Sequence, residues 1–177
     1  LAEVASIDIG DGFTFELGAP QEIMEDSEYG GVRIGVSASI EKTKITFKID
    51  VSTGDAITPD AIEYEYKLLF EDRSIALRSY NTETALAEKL ETILSLALQT
   101  TRMRDFYDIY ALTESGRNID FALLGNALDA TMAVRSSTAL LDRSDEVIGL
   151  LEGSEMMESH WSRYQAANSF AESVSWQ

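Results

Sequence analysis

The stretch that decides the fold is Thr82–Leu112, TETALAEKLETILSLALQTTRMRDFYDIYAL. Its first half repeats apolar residues at intervals of three and four, which is the period of an amphipathic helix. These residues are Leu86, Leu90, Ile93, Leu94, Ala97 and Leu98. After a polar break around Gln99–Thr101, a second apolar series contains Phe106, Ile109, Tyr110 and Leu112. The pattern predicts two consecutive helices, with Thr82 or Thr84 as the N-terminal cap of the first.

Charged side chains border the apolar face of each predicted helix. Lys89 lies beside the stripe of the first helix, and Asp105 and Asp108 lie three residues apart on one side of the second. Ionised carboxylates are rarely buried without a partner, because an unpaired charge is costly to remove from water. Two interpretations stay open: a salt-bridged helix pair with Arg102 and Arg104 as partners, or a polar pocket between the helices.

The composition is that of an ordinary globular chain. Of the 177 residues, 45% are hydrophobic and 25% are charged, which suits one domain or one domain with two subdomains. No apolar run approaches the about 20 residues of a membrane helix, no secretory signal pattern is present, and cysteine is absent. We therefore expect no membrane partner, no disulfide framework, no thiolate metal site and a cytoplasmic location.

The formal net charge of −17 is the main compositional anomaly. Binding to a nucleic-acid backbone depends on Lys and Arg, so this charge disfavours a general phosphate-backbone binder. It favours a basic protein partner, or Mg²⁺, which carboxylates hold readily. Acidity of this kind also serves solubility. Composition leaves the oligomeric state open.

Apolar and polar side chains alternate in the N-terminal part, which predicts antiparallel strands. The segments Val32–Ile40 and Ile45–Val51 show the alternation most clearly. A tight turn at Glu41-Lys42 separates them, and Gly30-Gly31 precedes the first. They are therefore predicted to form a hairpin. Further short strands are predicted at Thr14–Leu17, Ile62–Phe70 and Ile75–Tyr80.

The remainder of the chain has helical periodicity. Asp120 and Ser144 are predicted to cap later helices, and the polar tail from Ala166 is expected to fray. The predicted fold class is α+β, with an antiparallel or mixed sheet over residues 1–80 and a helical bundle over residues 81–177.

Three segments of the chain resemble a known family. They are Phe47–Val51 (FKIDV), Ala87–Leu90 (AEKL) and Arg104–Tyr110 (RDFYDIY). In this order and at this separation they resemble motifs of the AbiEii-type nucleotidyltransferase toxins. These are the toxin half of abortive-infection (type IV) toxin–antitoxin pairs, and the MenT toxins are relatives. The resemblance extends from about Ile7 to Trp161 and implies a nucleotidyltransferase-like palm portion followed by helices.

The resemblance implies nucleotidyl transfer from an NTP to an acceptor, with tRNA as the candidate acceptor and Mg²⁺ as the cofactor. Divalent metal offsets charge on the phosphates and aligns the attacking oxygen. Asp50 is the implied metal-binding and catalytic carboxylate, Lys89 the group at the phosphates, and Asp105 the final catalytic acid. The implied substrate-binding residues are Lys48, Arg104 and Asp108. A basic antitoxin is the implied protein partner.

Two alternatives limit this assignment. Lys48 and Asp50 share the polar side of one strand, and the default explanation of such a side is a solvated strand face. The whole chain has a rival explanation as well, a non-catalytic acidic module that binds a basic partner such as a cognate antitoxin.

The family's glycine-rich turn and Asp-x-Asp pair have no counterpart before the Asp50 strand. The segment Ile7–Asp11 contains acids, but it lacks the preceding glycine motif, so we do not assign it to the metal pair. We expect the pair to lie upstream of Leu1 in a parent protein, and we expect the N-terminally shortened chain to be inactive by itself.

Overall fold

Alternation in the N-terminal part and helical periodicity in the C-terminal part produce the predicted α+β fold, which is confirmed. The computed structural model describes residues 1–23, 31–114, 116 and 118–176, so the predicted turn residue Gly30 lies outside the described residues. The strands are β1 (Thr14–Leu17), β2 (Gln21–Ile23), β3 (Gly31–Ile40), β4 (Thr43–Ser52), β5 (Ile62–Lys67) and β6 (Ser74–Ser79). The helices are α1 (Ala2–Ala5), α2 (Thr82–Leu96), α3 (Met103–Glu114), α4 (Phe121–Val134), α5 (Ser144–Glu152) and α6 (Glu155–Ala167).

The chain divides into two compact units, residues 1–55 and 56–177. The first unit contains α1 and the sheet of β1 to β4, and the second contains the β5–β6 hairpin and the helices from α2 onward. The predicted division at residue 80 marks the point where strands give way to helices. The boundary between the compact units lies earlier, after residue 55, so the β5–β6 hairpin belongs to the same unit as the helices.

β3 is the strand on which the first sheet is built. It pairs antiparallel with β1 and β2, and along its whole length with β4, in a register that sets Val36 opposite Phe47. Glu41 has a φ of 49°, a left-handed value typical of the two-residue turns that join antiparallel strands. The predicted β3–β4 hairpin is therefore confirmed.

The apolar side of β4 is exposed. Val36 and Ala38 on β3 are only 4% and 7% exposed, but Phe47 and Ile45, opposite them on β4, keep 44% and 56% of their surface exposed. Alternation thus predicted both strands of the hairpin. It carries no information on how deeply an apolar side is buried, because burial depends on what packs against the sheet.

The residue that caps α2 precedes both of the predicted caps. Asn81 is the N-cap, and its side-chain oxygen accepts a hydrogen bond from Thr84 N at 2.7 Å. The predicted capping role of Thr82 or Thr84 was wrong. The Thr84 hydroxyl is instead fully buried and hydrogen-bonds to the backbone N–H and carbonyl of Thr58, so it ties the preceding segment to the helix.

Asp120 caps α4 as predicted. Its Oδ1 accepts hydrogen bonds from Ala122 N at 2.9 Å and Leu123 N at 3.1 Å. The predicted cap at Ser144 was wrong, because this residue lies inside the first turn of α5 and its hydroxyl donates backwards to Leu141 O. No helix among the residues described is both long enough and apolar enough to cross a bilayer.

The helices enclose the main hydrophobic core. Its buried members are Ile93, Leu94, Met103, Met132, Val147, Leu151, Met157, Trp161 and Val174. Val174 belongs to the tail that was expected to fray. Trp161 Nε1 donates to Val174 O at 3.0 Å, and Gln165 Nε2 donates to the same oxygen at 2.9 Å. The fraying prediction was wrong, since the tail packs against α6 and its backbone is hydrogen-bonded there.

Candidate functional site

Lys89 on α2 and two acids on α3 form a half-buried cluster. Lys89 Nζ donates to Asp105 Oδ1 at 3.1 Å and to Asp108 Oδ2 at 2.6 Å. The three side chains keep between 17% and 26% of their surface exposed. The structure therefore brings together three of the predicted site residues, which we call the Lys89 cluster.

The break between α2 and α3 lets their polar sides meet. Ala97 follows α2 with a φ of 45°, a left-handed value that residues with a Cβ seldom adopt. Thr100 is 1% exposed and its hydroxyl accepts a hydrogen bond from Arg102 N at 3.1 Å. α3 then starts at the buried Met103, and because Asp105 and Asp108 are three residues apart, both project toward one side of that helix.

The electrostatics of the cluster favour a charged lysine. Burial lowers the pKa of Lys89, but its hydrogen bonds to Asp108 and Asp105, with the charges of both carboxylates, outweigh burial and raise the pKa above the ordinary 10.5. An ammonium has three N–H donors, and two of them bind the carboxylates. The third has no partner among the residues described, so it is available to an anion such as a phosphate oxygen.

Arg104 lies at the outer edge of the Lys89 cluster. Its Nε is 3.7 Å from Asp108 Oδ2, and its side chain is 81% exposed. The predicted pairing of Arg104 with Asp108 is therefore present, at a distance too long for a hydrogen bond. Most of the guanidinium donors remain accessible from solvent.

A small pocket beside Lys89 is lined by three cations. Lys89, Arg102 and Arg135 surround about 190 Å³, together with two acids, Glu88 and Asp105. Cations outnumber acids here by three to two, in a chain with 14 Lys and Arg residues against 31 Asp and Glu residues. We call this space the cationic pocket after its lining, although Lys89 and Arg135 also pair with two acids that do not line it, Asp108 and Glu91.

Sequence analysis did not single out Arg135. Its Nη1 donates to Glu91 Oε2 at 2.5 Å and to Thr92 Oγ1 at 3.2 Å. Glu91 is 4% exposed and also accepts from Ser95 Oγ at 2.5 Å. The two ends of this ion pair are 44 residues apart, so no local pattern could have revealed it.

Asp50 forms a bidentate ion pair with Arg33, which lies opposite it in the β3–β4 register. Arg33 Nε and Nη2 donate to the two carboxylate oxygens of Asp50, both at 2.7 Å. These hydrogen bonds lower the pKa of Asp50 below its ordinary value, with a smaller contribution from the charge of Lys48. The Asp50 side chain is 48% exposed. Period-2 alternation places Arg33 on the polar side but does not identify it as the partner.

The described residues do not assemble a metal site by themselves. Arg33 engages both carboxylate oxygens of Asp50, and no group of three His, Asp or Glu side chains in the described part of the chain is placed to hold a metal ion. Asp50 lies in the first compact unit, and Lys89 and Asp105 lie in the second. The roles implied by the resemblance require these three residues to meet at one cleft, and this requirement stays a prediction, as does the role of Asp50 as a Mg²⁺ ligand.

Comparison with known proteins gives one match. A family model described as "Nucleotidyl transferase AbiEii toxin, Type IV TA system" matches residues 1–175. No curated protein and no solved structure gives a significant match. The matched range includes both compact units and every predicted site residue.

Proposed function

Because the chain belongs to the AbiEii family of nucleotidyl transferase toxins from type IV toxin–antitoxin systems, we propose that it transfers a nucleotidyl group from an NTP. In such a transfer an acceptor oxygen bonds to the α-phosphorus, the bond to pyrophosphate breaks, and the acceptor's proton leaves to a base or to solvent. The developing charge lies on the phosphate oxygens, so positioned cations are the main requirement.

The observation that carries this proposal is the Lys89 cluster. Two carboxylates hold the ammonium at 2.6 and 3.1 Å, which positions a charge before the substrate arrives. We propose that Lys89 binds the triphosphate through its remaining donor and that Asp105 and Asp108 orient it. The exposed Arg104 and the cationic pocket lie beside it and supply further positive charge.

In the first compact unit, Asp50 is the proposed catalytic carboxylate and Lys48 a proposed substrate contact. Mg²⁺ is part of the same proposal, with Asp50 as its ligand, and the metal would offset charge on the triphosphate. To serve in this way, the Asp50 carboxylate has to exchange at least part of its pairing with Arg33. Omission of Mg²⁺ from the label-transfer assay described below tests whether the metal is needed.

The acceptor and the protein partner are also parts of the proposal. Membership in a toxin–antitoxin family supports an antitoxin as the partner, and the net charge of −17 favours a basic one. We propose tRNA as the acceptor. A polyanionic RNA is attracted only by local positive surface on an acidic protein, and the cationic pocket and Arg104 provide such a surface in the helical unit.

The deciding experiment measures label transfer from [α-³²P]NTPs to total tRNA, with the full gene product and with residues 1–177 alone. We expect Lys89→Ala and Asp105→Asn to lower transfer roughly 100-fold or more, the usual cost of removing one positioned electrostatic group. Lys44→Ala is the matched control, since this lysine is 57% exposed and pairs with Glu16 on the N-terminal sheet. Transfer that is unchanged in both cluster variants would reject the proposal.

The strong negative charge favours a second candidate function, an acidic module that only binds a basic antitoxin. The two functions differ in their response to nucleotide. An enzyme with the proposed site is stabilised in a thermal melt by NTP with Mg²⁺, and Lys89→Ala removes that stabilisation. A pure binding module shows no nucleotide effect in either protein and is stabilised by the antitoxin alone.

A further inference from the structure

A second pocket meets the Lys89 cluster at Asp108. Its volume is about 490 Å³, within the range of about 300–1,000 Å³ that is common for small-molecule sites. α3, α6 and the tail after α6 provide its lining, which consists of Arg104, Tyr107, Asp108, Tyr164, Asn168 and Phe170. We call this space the aromatic pocket. Because Asp108 also accepts a hydrogen bond from Lys89, a ligand in the pocket lies beside the cluster.

Three aromatic rings line this pocket, those of Tyr107, Tyr164 and Phe170. The centroid of Tyr107 is 4.8 Å from Phe170 and 6.4 Å from Tyr164, and that of Tyr164 is 6.3 Å from Phe170. Phe170 nevertheless keeps 56% of its surface exposed. A large ring left in water at the mouth of a pocket is a ready surface for stacking a planar ligand.

Polar groups in the aromatic pocket suit the edge of a nucleobase. Asn168 Nδ2 donates to Tyr164 O at 2.8 Å, while Asn168 Oδ1 accepts no hydrogen bond from any described residue. The Tyr164 hydroxyl is a donor at neutral pH, as any tyrosine hydroxyl is, and burial, with the charge of Asp108, raises its pKa further. The exposed Arg104 adds donors at the rim. The pocket thus combines a flat apolar surface with both donors and acceptors.

A second, more apolar cavity of similar volume in the same unit is less suited to this purpose. It measures about 470 Å³ and includes Phe106, Ile109 and Tyr110 of α3 in its lining. Phe106 and Ile109 are each about 160° around α3 from one of the two pocket residues Asp108 and Tyr107, since each residue advances an α-helix by about 100°. Tyr110 lies next to Tyr107, with ring centroids 6.4 Å apart. None of the described residues that line this cavity belongs to the Lys89 cluster.

We infer that the aromatic pocket binds a nucleobase, stacked on Phe170, whose attached phosphates extend toward Lys89 and Arg104. This inference rests on the proposed nucleotidyl transfer and adds the subsite that holds the base. The base comes either from the NTP or from the end of an RNA acceptor. Stacking is the same chemistry in both cases, so the experiment contains one arm for each source.

The test measures binding of each of the four NTPs, of a short single-stranded RNA, and of inorganic tripolyphosphate, by calorimetry with the full gene product. We expect Phe170→Ala to weaken binding of one of the base-containing ligands about tenfold, or about 1.4 kcal/mol, a size typical of base–aromatic stacking. Phe170→Trp is expected to retain that binding. Tripolyphosphate has no base, so its affinity should be equal in all variants and should fall only with Lys89→Ala.

Phe121→Ala is the matched control, because Phe121 is 77% exposed, is the first residue of α4 and does not line the aromatic pocket. Selective weakening of NTP binding supports the inference with the NTP as the source of the base, and selective weakening of RNA binding supports it with the acceptor as the source. If tripolyphosphate and NTP bind but Phe170→Ala changes neither NTP nor RNA affinity, the subsite is overturned and the proposed function stands. If no phosphate ligand binds the wild-type protein, both are overturned.

Discussion

The two compact units contain similar acid–cation pairs in different surroundings. We call residues 56–177 the helical unit, and the sheet of β1 to β4 within residues 1–55 the N-terminal sheet. In the helical unit, Lys89 and its two carboxylates are about one-fifth exposed and are carried by helices that enclose the core around Trp161. In the sheet, Arg33 and Asp50 are 37% and 48% exposed, and the apolar side of β4 is open to solvent. Water screens the second pair far more than the first, so residue type alone does not determine how much each pair contributes to stability.

The contrast has a functional consequence. A half-buried lysine that is held by two acids keeps its position and charge with little reorganisation, which suits a group that meets a triphosphate. An exposed bidentate pair exchanges its partner more easily, because water and ions replace the lost contact. The sheet pair is therefore the more adaptable of the two, as the proposed role of Asp50 requires.

The largest expected difference between the two regions concerns apolar packing. Trp161 is 3% exposed and Phe47 is 44% exposed. Trp161→Ala should lower the free energy of unfolding by about 3–5 kcal/mol, whereas Phe47→Ala should lower it by about 1 kcal/mol or less, because its ring loses little burial. Urea unfolding followed by far-UV circular dichroism measures both, with Trp161→Phe as a volume control. An equal loss in the two alanine variants would show that the β4 side is packed after all.

A smaller difference is expected between the two ion pairs. Asp105→Asn keeps the shape of the side chain but removes one carboxylate charge from Lys89, which still has Asp108, so we expect a loss of about 1–2 kcal/mol. Asp50→Asn should leave the unfolding midpoint unchanged within error, because its pair with Arg33 is solvated. The same urea titration, repeated at high salt, makes the comparison. A larger loss for Asp50→Asn than for Asp105→Asn would contradict the ranking by burial.

The smallest expected effect is in the pH dependence of stability. The folded state raises the pKa of Lys89 above 10.5, so the stability that Lys89 contributes is fully present below that pH and is lost as the pH rises through the folded pKa. The gap in unfolding free energy between the wild type and Lys89→Met should therefore narrow as the pH rises above 10.5. A wild-type advantage that stays constant as the pH rises past that value would exclude a raised lysine pKa.

For Asp50 the folded pKa is lowered below 3.8, so the small contribution of its solvated pair with Arg33 is present above that pH and is lost on the acid side.

Much of the local structure could be predicted from the sequence. The β3–β4 hairpin follows from alternation around Glu41-Lys42, and α2 and α3 follow from the apolar period of Thr82–Leu112. The cap at Asp120 was also predictable, because capping depends on one side chain and the next two or three backbone N–H groups. Two interpretations of this region were open, a salt-bridged helix pair with Arg102 and Arg104 as partners and a polar pocket between the helices. The structure has elements of both, since Arg104 lies 3.7 Å from Asp108 and the salt bridge of Lys89 adjoins a pocket.

Other features depend on residues that are distant in the sequence. The tail from Ala166 is polar enough to suggest fraying, yet the indole of Trp161 and the amide of Gln165 hold its backbone. Asn81 caps α2 although two threonines follow it. The hydroxyl of Thr84 hydrogen-bonds instead to the backbone of Thr58, a contact that a helix pattern does not predict. Hydrogen bonds between distant segments, from Trp161 to Val174 and from Thr84 to Thr58, decide the structure at these two places.

The sequence by itself determined the strands, the helices and the order of the family motifs, because these depend on residue periodicity and on neighbours within a few positions. Three contacts were decided only by the tertiary structure. Arg135 pairs with Glu91, Arg33 donates to both carboxylate oxygens of Asp50, and the ring of Phe170 packs against that of Tyr107. The physical reason is that such contacts form between segments brought together by packing, and periodicity does not specify which distant segments meet.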